Sequence, residues 1–176
     1  LVSPSGNYFF VDTQISVDPD AEEIVEMTLL AAEEVARFGV APRVALVSHS
    51  SFGSSPEPSA AKMRSARELL AERAPDLPVE GEMQADAAVS QAVRDAAFPD
   101  SAFPGPANLL VMPNRDAANI AFNLLKSLGG GVSLGPMLLG NRKPGHILTA
   151  SATTRAVVNI SALLAVEAQT AESGVA

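Results

Sequence analysis

Short apolar runs alternate along the chain with longer stretches in which apolar positions recur at three- and four-residue steps. Tyr8-Phe9-Phe10-Val11 predicts a buried strand ending near Asp12. Asp20-Ala21-Glu22-Glu23 carries a capping-box pattern: the Asp20 carboxylate can accept from the Glu23 N–H while the Glu23 side chain reaches back. Ile24, Met27, Ala31, Val35 and Phe38 then place one apolar stripe on a helix of about five turns. Gly39 stands where a glycine ends a helix, and Pro42 follows. Arg43-Val44-Ala45-Leu46-Val47-Ser48 lacks polar alternation, which predicts a parallel strand buried on both faces.

The rest of the chain continues the alternation. His49 to Pro58 is a polar, Gly/Pro-containing loop. A helix is predicted from about Ala60 to Ala74, with Met63, Ala66, Leu69 and Leu70 inward and Pro75 and Pro78 beyond its end. Val79 to Met83 reads as a short strand, and Ala85 to Ala96 as one helix. Phe98 to Pro106 is a proline-rich connection. Asn108 to Met112 is a second buried-type strand stopped by Pro113. Asp116 to Leu128 is predicted helical with Ile120, Leu124, Leu125 and Leu128 inward, ended by Gly129-Gly130-Gly131. Val132-Ser133-Leu134 is predicted as a strand and Ala152 to Ala168 as the last helix, with residues 169–176 as a frayed tail.

Strands and helices alternating at roughly 25- to 40-residue spacing imply βαβ units, hence a three-layer α/β/α fold on a mainly parallel sheet. Ligands in such sheets bind beyond the carboxyl ends of the strands. Three loops then become candidates: Ser48–Ser55, Pro113–Asp116 and Gly135–His146.

Composition narrows the chemistry. The 176 residues carry 12 Lys and Arg against 20 Asp and Glu, a net charge of −8. No basic run interrupts that acidic balance, so nucleic acid is an unfavourable partner. No apolar run is long enough to span a bilayer. The absence of cysteine excludes a disulfide framework, a thiolate metal site and a cysteine nucleophile, and fits a reducing cytoplasm. The two histidines, His49 and His146, share no ligand motif, so no metal site is expected. Leu1 to Gly6 has neither an initiator Met nor a basic, apolar leader, which predicts no signal peptide and a chain cut from a longer one.

The three loops carry the candidate chemistry. Ser48, Ser50, Ser51 and Ser54, with Gly53, offer hydroxyls and backbone N–H groups that suit a phosphate, or form an ordinary βα turn. His49 among them points away from its neighbours and reads as a structural histidine. Asp116 is the expected N-cap of its helix, with Arg115, beside Asn114, free to bind an anion or pair with a carboxylate. Arg142-Lys143 is an adjacent basic pair on the third loop, either an anion site or a solvated turn.

Four blocks together resemble the phosphotransacetylase/phosphotransbutyrylase family. They are Val47-Ser48-His49-Ser50-Ser51-Phe52-Gly53-Ser54, Gly81-Glu82-Met83-Gln84-Ala85-Asp86, Met112-Pro113-Asn114-Arg115-Asp116 and Gly135-Pro136-Met137-Leu138-Leu139-Gly140-Asn141-Arg142-Lys143-Pro144. Their order and spacing match the family over roughly residues 8–168. The resemblance implies a phosphotransacetylase-like fold, of the isocitrate/isopropylmalate dehydrogenase type, of which this chain is the C-terminal portion. It also adds Thr149 and Ser151 to the candidate acyl-CoA or phosphate contacts.

The departures from that family are specific. Active members follow Lys-Pro with Ser-Arg-Gly and a later aspartate; here the corresponding positions are Thr149, Ala150, Ser151 and Ala156. In the active family the arginine is thought to hold phosphate and the aspartate to help deprotonate the CoA thiol. Alanine does neither, so no catalytic residue is expected in this chain. Ser-His-Ser-Ser-Phe-Gly-Ser, Gly-Glu-Met-Gln-Ala-Asp and Leu-Thr-Ala-Ser-Ala-Thr instead resemble the C-terminal domain of hybrid malic enzymes. That resemblance implies a cytoplasmic regulatory and assembly domain that senses acetyl-CoA. It implies a homo-oligomer, with NADP, a divalent metal and malate oxidation belonging to an N-terminal malic enzyme part outside these residues. An active phosphate acetyltransferase and a purely structural oligomerisation module, using Ile160, Leu163 and Leu164, are the competing expectations.

Overall fold

The computed structural model describes residues 1–148, 150 and 152–172. A small antiparallel hairpin of β1 (Val2–Ser3) and β2 (Gly6–Asn7) precedes β3 (Phe9–Val11). Then follow α1 (Ala21–Arg37), β4 (Val44–Val47), α2 (Pro58–Arg73) and β5 (Val79–Met83). Two short helices, α3 (Ala85–Val89) and α4 (Gln91–Ala97), lead to β6 (Leu109–Val111), α5 (Arg115–Leu128) and α6 (Thr154–Glu172). The main sheet has the order β3-β6-β4-β5 and is parallel throughout.

The period-2 alternation of the strands divides the core in two. Val44, Leu46, Leu109 and Val111 face α1 and α2, where Ile24, Val25, Val35, Met63, Ala66 and Leu70 meet them. Ala45, Val47, Leu110 and Met112 face the other way, onto Ala87, Ala88, Phe103 and Ala118. All four residues of β4 are buried, as expected of a central parallel strand without polar alternation. The predicted α/β/α layering is therefore the observed one. The capping box on α1 is complete: the Asp20 carboxylate accepts from the Glu23 N–H at 2.9 Å, and the Asp20 N–H donates to Glu23 Oε2 at 2.9 Å. Gly39 follows the end of α1 with φ +72°, a conformation that an L side chain resists.

Several expectations need correction. The helix expected over Ala85–Ala96 is two helices, broken at Ser90, whose hydroxyl caps α4 by accepting from the Val93 N–H at 3.4 Å. The strand expected at Val132–Leu134 is a single antiparallel bridge, Val2 to Val132. Residues 169–172, expected to fray, continue α6, and 173–176 lie outside the described residues. The largest correction concerns α5. Ile120, Leu124, Leu125 and Leu128 are exposed, Leu128 at 83%. The helix meets the sheet through Ala117, Ala118 and Ala121 instead. It is apolar on two sides, and its small side allows the closer approach to the strands.

Gly81 on β5 shows how tightly the sheet is closed. Its φ is +142°, and a Cβ there would lie 2.6 Å from the Leu46 carbonyl oxygen on the neighbouring strand. Gly81→Ala is therefore expected to cost about 1–3 kcal/mol. In a thermal melt that is a fall of roughly 2–4 °C in Tm per kcal/mol; an unchanged Tm contradicts the strained backbone.

Candidate functional site

Because all four strands of the main sheet run parallel, their following loops gather along one edge. Hydrogen bonds join them in pairs. The Ser48 N–H donates to the Met83 carbonyl at 2.9 Å, and Gln84 donates from its backbone to Ser51 Oγ (3.1 Å) and from its side chain to the His49 carbonyl (3.0 Å). On the other side, Asn119 Nδ2 donates to the Thr13 carbonyl at 3.2 Å and the Arg115 N–H to the Val17 carbonyl at 3.2 Å. The edge is thus one rim built from the ends of β4 with β5 and of β3 with β6.

Under the Ser-rich part of that rim lies the side chain of Glu82, fully buried at the end of β5. Its Oε1 accepts from Ser50 Oγ (2.9 Å), the Gly53 N–H (3.0 Å) and Arg64 Nη1 (2.9 Å). Its Oε2 is buried with no hydrogen-bond partner among the described residues. The Ser50 hydroxyl spends its proton on the carboxylate, so in the 2.9 Å contact between the two serines Ser54 Oγ must donate to Ser50 Oγ. Ser54, Ser50 and Glu82 form a directed chain of hydroxyls ending on a charge.

This arrangement decides what the loop can offer a ligand. A phosphate cradle needs outward N–H groups. Here Ser50 N–H donates to Ser48 Oγ, Ser51 N–H to Ser54 Oγ, Phe52 N–H to the Glu82 carbonyl, Gly53 N–H to Glu82 Oε1 and Ser54 N–H to the Ser51 carbonyl. The donors on which the sequence-based expectation relied are turned inward. The Ser51 hydroxyl, which accepts from the Gln84 N–H and keeps its own proton, is partly exposed. His49 is half-exposed and lies 3.3 Å from Ser55 Oγ and 3.6 Å from a Glu57 carboxylate oxygen.

The remaining candidates divide. Asn114, not Asp116, caps α5: its Oδ1 accepts from the Ala117 N–H at 2.9 Å. The cap falls two residues earlier because Asn114 is extended and its side chain reaches back over the first turn. Arg115 lines a cavity of about 310 Å³ with Thr13, Gln14, Asp116 and Asn119, beyond the ends of β3 and β6. Beside it, burial alone would raise the Asp12 carboxyl, but the N–H groups of Gln14, Ser16 and Ile15 outweigh it and hold its pKa below the ordinary value. Arg142 and Lys143 are exposed on a loop that rides over α1, where Leu139 packs against the core. No hydrogen bond or ion pair among the described residues ties them to the rim. Thr149 and Ser151 lie outside the described residues.

Reasoning from the sequence missed Glu82 with Arg64, and Arg94. The signal for Glu82 was a carboxylate inside the otherwise strand-like Val79–Met83, where an unpaired charge is not tolerated. Arg94 is fully buried and donates to the carbonyls of Ala87 (3.2 Å), Phe103 (3.2 Å) and Gly105 (2.8 Å). Its guanidinium also lies 5.0 Å from the Phe103 ring centre. It braces the proline-rich connection to α3.

The parallel sheet with helices on both faces and its loops gathered at the carboxyl edge define a three-layer α/β/α domain. The family model described as phosphate acetyl/butaryl transferase matches residues 1–165, and the chain belongs to this family. It is 56% identical over 171 residues to the NADP-dependent malic enzyme of Escherichia coli, across 97% of this chain and 22% of that protein. The phosphate acetyltransferase of Paracoccus denitrificans is 36% identical over 163 residues, 92% of this chain and 51% of that protein. A solved phosphotransacetylase from Streptococcus pyogenes superposes with a TM-score of 0.85 at 34% identity, over 94% of this chain and 50% of that one. The chain therefore spans about a fifth of the malic enzyme it matches and about half of the transferases.

Glu82 gives the site its test. Glu82→Ala leaves Ser50, Gly53 N–H and Arg64 without their acceptor. The expected cost is about 3 kcal/mol, the low end for a broken buried pair because Arg64 is 30% exposed. Glu82→Gln, whose amide oxygen still accepts, is expected to cost less than Glu82→Ala in urea denaturation. Equal midpoints for wild type and Glu82→Ala contradict the central role of this carboxylate.

Proposed function

We propose that this chain is the C-terminal regulatory and assembly domain of a cytoplasmic malic enzyme, in which acetyl-CoA binds the former transferase rim and no acyl transfer takes place. The observation that carries the reading is the pair Ala150 and Ala156, standing where the active family has an arginine and an aspartate. A methyl group neither neutralises a phosphate nor takes a thiol proton. The identity of 56% with a malic enzyme, against 36% with a phosphate acetyltransferase, supports the same assignment. NADP and a divalent metal then belong to the N-terminal part of the parent chain. Regulation requires acetyl-CoA to bind one assembly state better than another.

Ser48, Ser50, Ser51, Gly53 and Ser54 shape the pocket wall in this reading, and Arg115 beside Asn114 supplies positive charge for the ligand phosphates. The inward hydrogen bonds of the Ser-rich loop support a shape-defining role for it. Arg142, Lys143, Thr149 and Ser151 are proposed as further ligand contacts. The exposed aliphatic side of α5 supports the assembly part, since apolar patches of this kind mark contact surfaces.

Titration calorimetry of the full-length parent protein with acetyl-CoA is expected to show saturable binding below millimolar concentration; no heat at millimolar ligand refutes it. Acetyl phosphate formation from acetyl-CoA and phosphate is expected to stay at background. Robust turnover would establish the second reading, an active transferase, which the shared family and the 36% identity favour. Leu124→Glu on the exposed side of α5 is expected to keep full helix content by circular dichroism and to shift the full-length protein to smaller species in size-exclusion chromatography. An unchanged elution volume argues against an α5 interface.

A further inference from the structure

β3 is an edge strand of the main sheet. A cavity of about 540 Å³ runs beside it; its lining includes Leu1, Val2, all of β3, and Leu134 and Pro136 of the loop after α5. The backbone around this cavity has a definite register. The Leu1 nitrogen donates to the Tyr8 carbonyl at 2.7 Å and the Tyr8 N–H to the Leu1 carbonyl at 2.9 Å. This pair continues the hairpin, in which Val2 faces Asn7 and Ser3 faces Gly6. On its other edge, Val2 exchanges two hydrogen bonds with Val132, at 2.9 and 2.8 Å. In an antiparallel ladder such exchanging pairs recur every second residue, and a strand serves its two neighbours alternately. A residue preceding Leu1 would therefore exchange bonds with Leu134, and the one before it with Phe10. Phe10 is turned the right way. The Phe9 N–H donates to the Asn108 carbonyl and the Val11 carbonyl accepts from the Met112 N–H. Phe9 and Val11 thus turn their backbone groups to β6, and Phe10 turns its own away from β6, toward the open edge.

We propose that this cavity receives the polypeptide immediately preceding Leu1 in the parent chain, as one more strand, antiparallel to β3 and lying between β3 and Leu134. The proposal rests on the reading of this chain as the C-terminal part of a longer protein. The chain covers 51% of the Paracoccus denitrificans transferase and 50% of the Streptococcus pyogenes one, so about half of those proteins lies outside it. A chain continued from Leu1 in the direction of β1 runs into the cavity that Leu1 itself lines.

The register also states the chemistry of the strand. Opposed residues of an antiparallel pair share a face. The first preceding residue falls on the face of Phe9, whose ring lies 5.8 Å from that of Phe38 at the end of α1. The second falls on the face of Phe10, whose ring lies 5.8 Å from that of Phe122 on α5. Helices cover both faces, so both residues are apolar. The same strand extends the single Val2–Val132 bridge to Leu134, which makes residues 132–134 the strand that their sequence predicts. Pro136, without an N–H, limits the ladder there.

A cysteine pair tests the register in the full-length parent protein. Phe9→Cys and a cysteine in place of the residue preceding Leu1 occupy a non-hydrogen-bonded pair, with Cα atoms about 4.5 Å apart, within reach of a disulfide. Mild oxidation is expected to link them in most molecules, read from the mass of the joined peptides. Phe10→Cys with the same partner is expected to link in none, because its side chain lies on the opposite face. Residue-resolved hydrogen exchange on the unsubstituted parent is independent of how those variants fold. The Phe10 and Leu134 amides are expected to exchange at least about tenfold more slowly than unpaired chain. The strand is overturned by free exchange at both amides, by no link in a folded Phe9→Cys protein, or by equal linking of Phe9→Cys and Phe10→Cys. Neither measurement involves a ligand, so a failure of acetyl-CoA binding leaves the strand standing, and a failure of the strand leaves the acetyl-CoA reading standing.

Discussion

A carboxylate taken out of water must be met by donors, and Glu82 draws three of them from two elements. Arg64 comes from α2, the Ser50 hydroxyl and the Gly53 N–H from the loop after β4, and all converge on one oxygen. The loop can reach that oxygen only by folding inward. Phe52 accordingly adopts a positive φ of 49°, and its ring stacks on Phe98 with centroids 4.4 Å apart. A single buried charge thus orders a serine-rich segment that would otherwise have many solvated conformations. The same contacts give the rim its chemical character, since donors that satisfy an internal anion are withdrawn from an external one.

The layers around the sheet follow a size rule. On the α1 and α2 side, branched and long side chains fill the gap, with Ile24, Val35, Met63 and Leu70 against β4 and β6. On the other side alanines dominate the helices, and bulk comes from the strands and from Phe103. Small residues let α3 and α5 sit close to the strands. The price of that closeness in α5 is that its large aliphatic residues have nowhere to go but outward.

Strands and helices were legible wherever one interaction dominated. The capping box at Asp20 and the unbroken apolar run of β4 needed only local rules, and both are seen. The orientation of α5 was not legible, because periodicity identifies apolar faces without saying which one meets the sheet. Asn114 was passed over as a cap because Asp116 is an equally good capping residue two positions on, and only the backbone conformation separates them. The hairpin of β1 and β2 was also missed, although Pro4-Ser5-Gly6 is a turn signal. As for the candidate site, the two rim loops could be located from strand ends alone. Their donor directions could not, because Glu82 lies 28 residues beyond Ser54 and the hydrogen bonds are set by tertiary contact. The third loop followed no strand, so the rule that placed it at the sheet edge did not apply.

Arg94 differs from Glu82 in what meets its buried charge. Its guanidinium is held by carbonyl oxygens alone. The brace between α3 and the proline-rich connection is therefore sensitive to shape. Lysine carries the same charge but concentrates its donors at one point, and cannot spread them over three carbonyls as a planar fork does. At this position the usual interchange of the two basic residues, harmless on an open surface, would keep the charge and lose the joint.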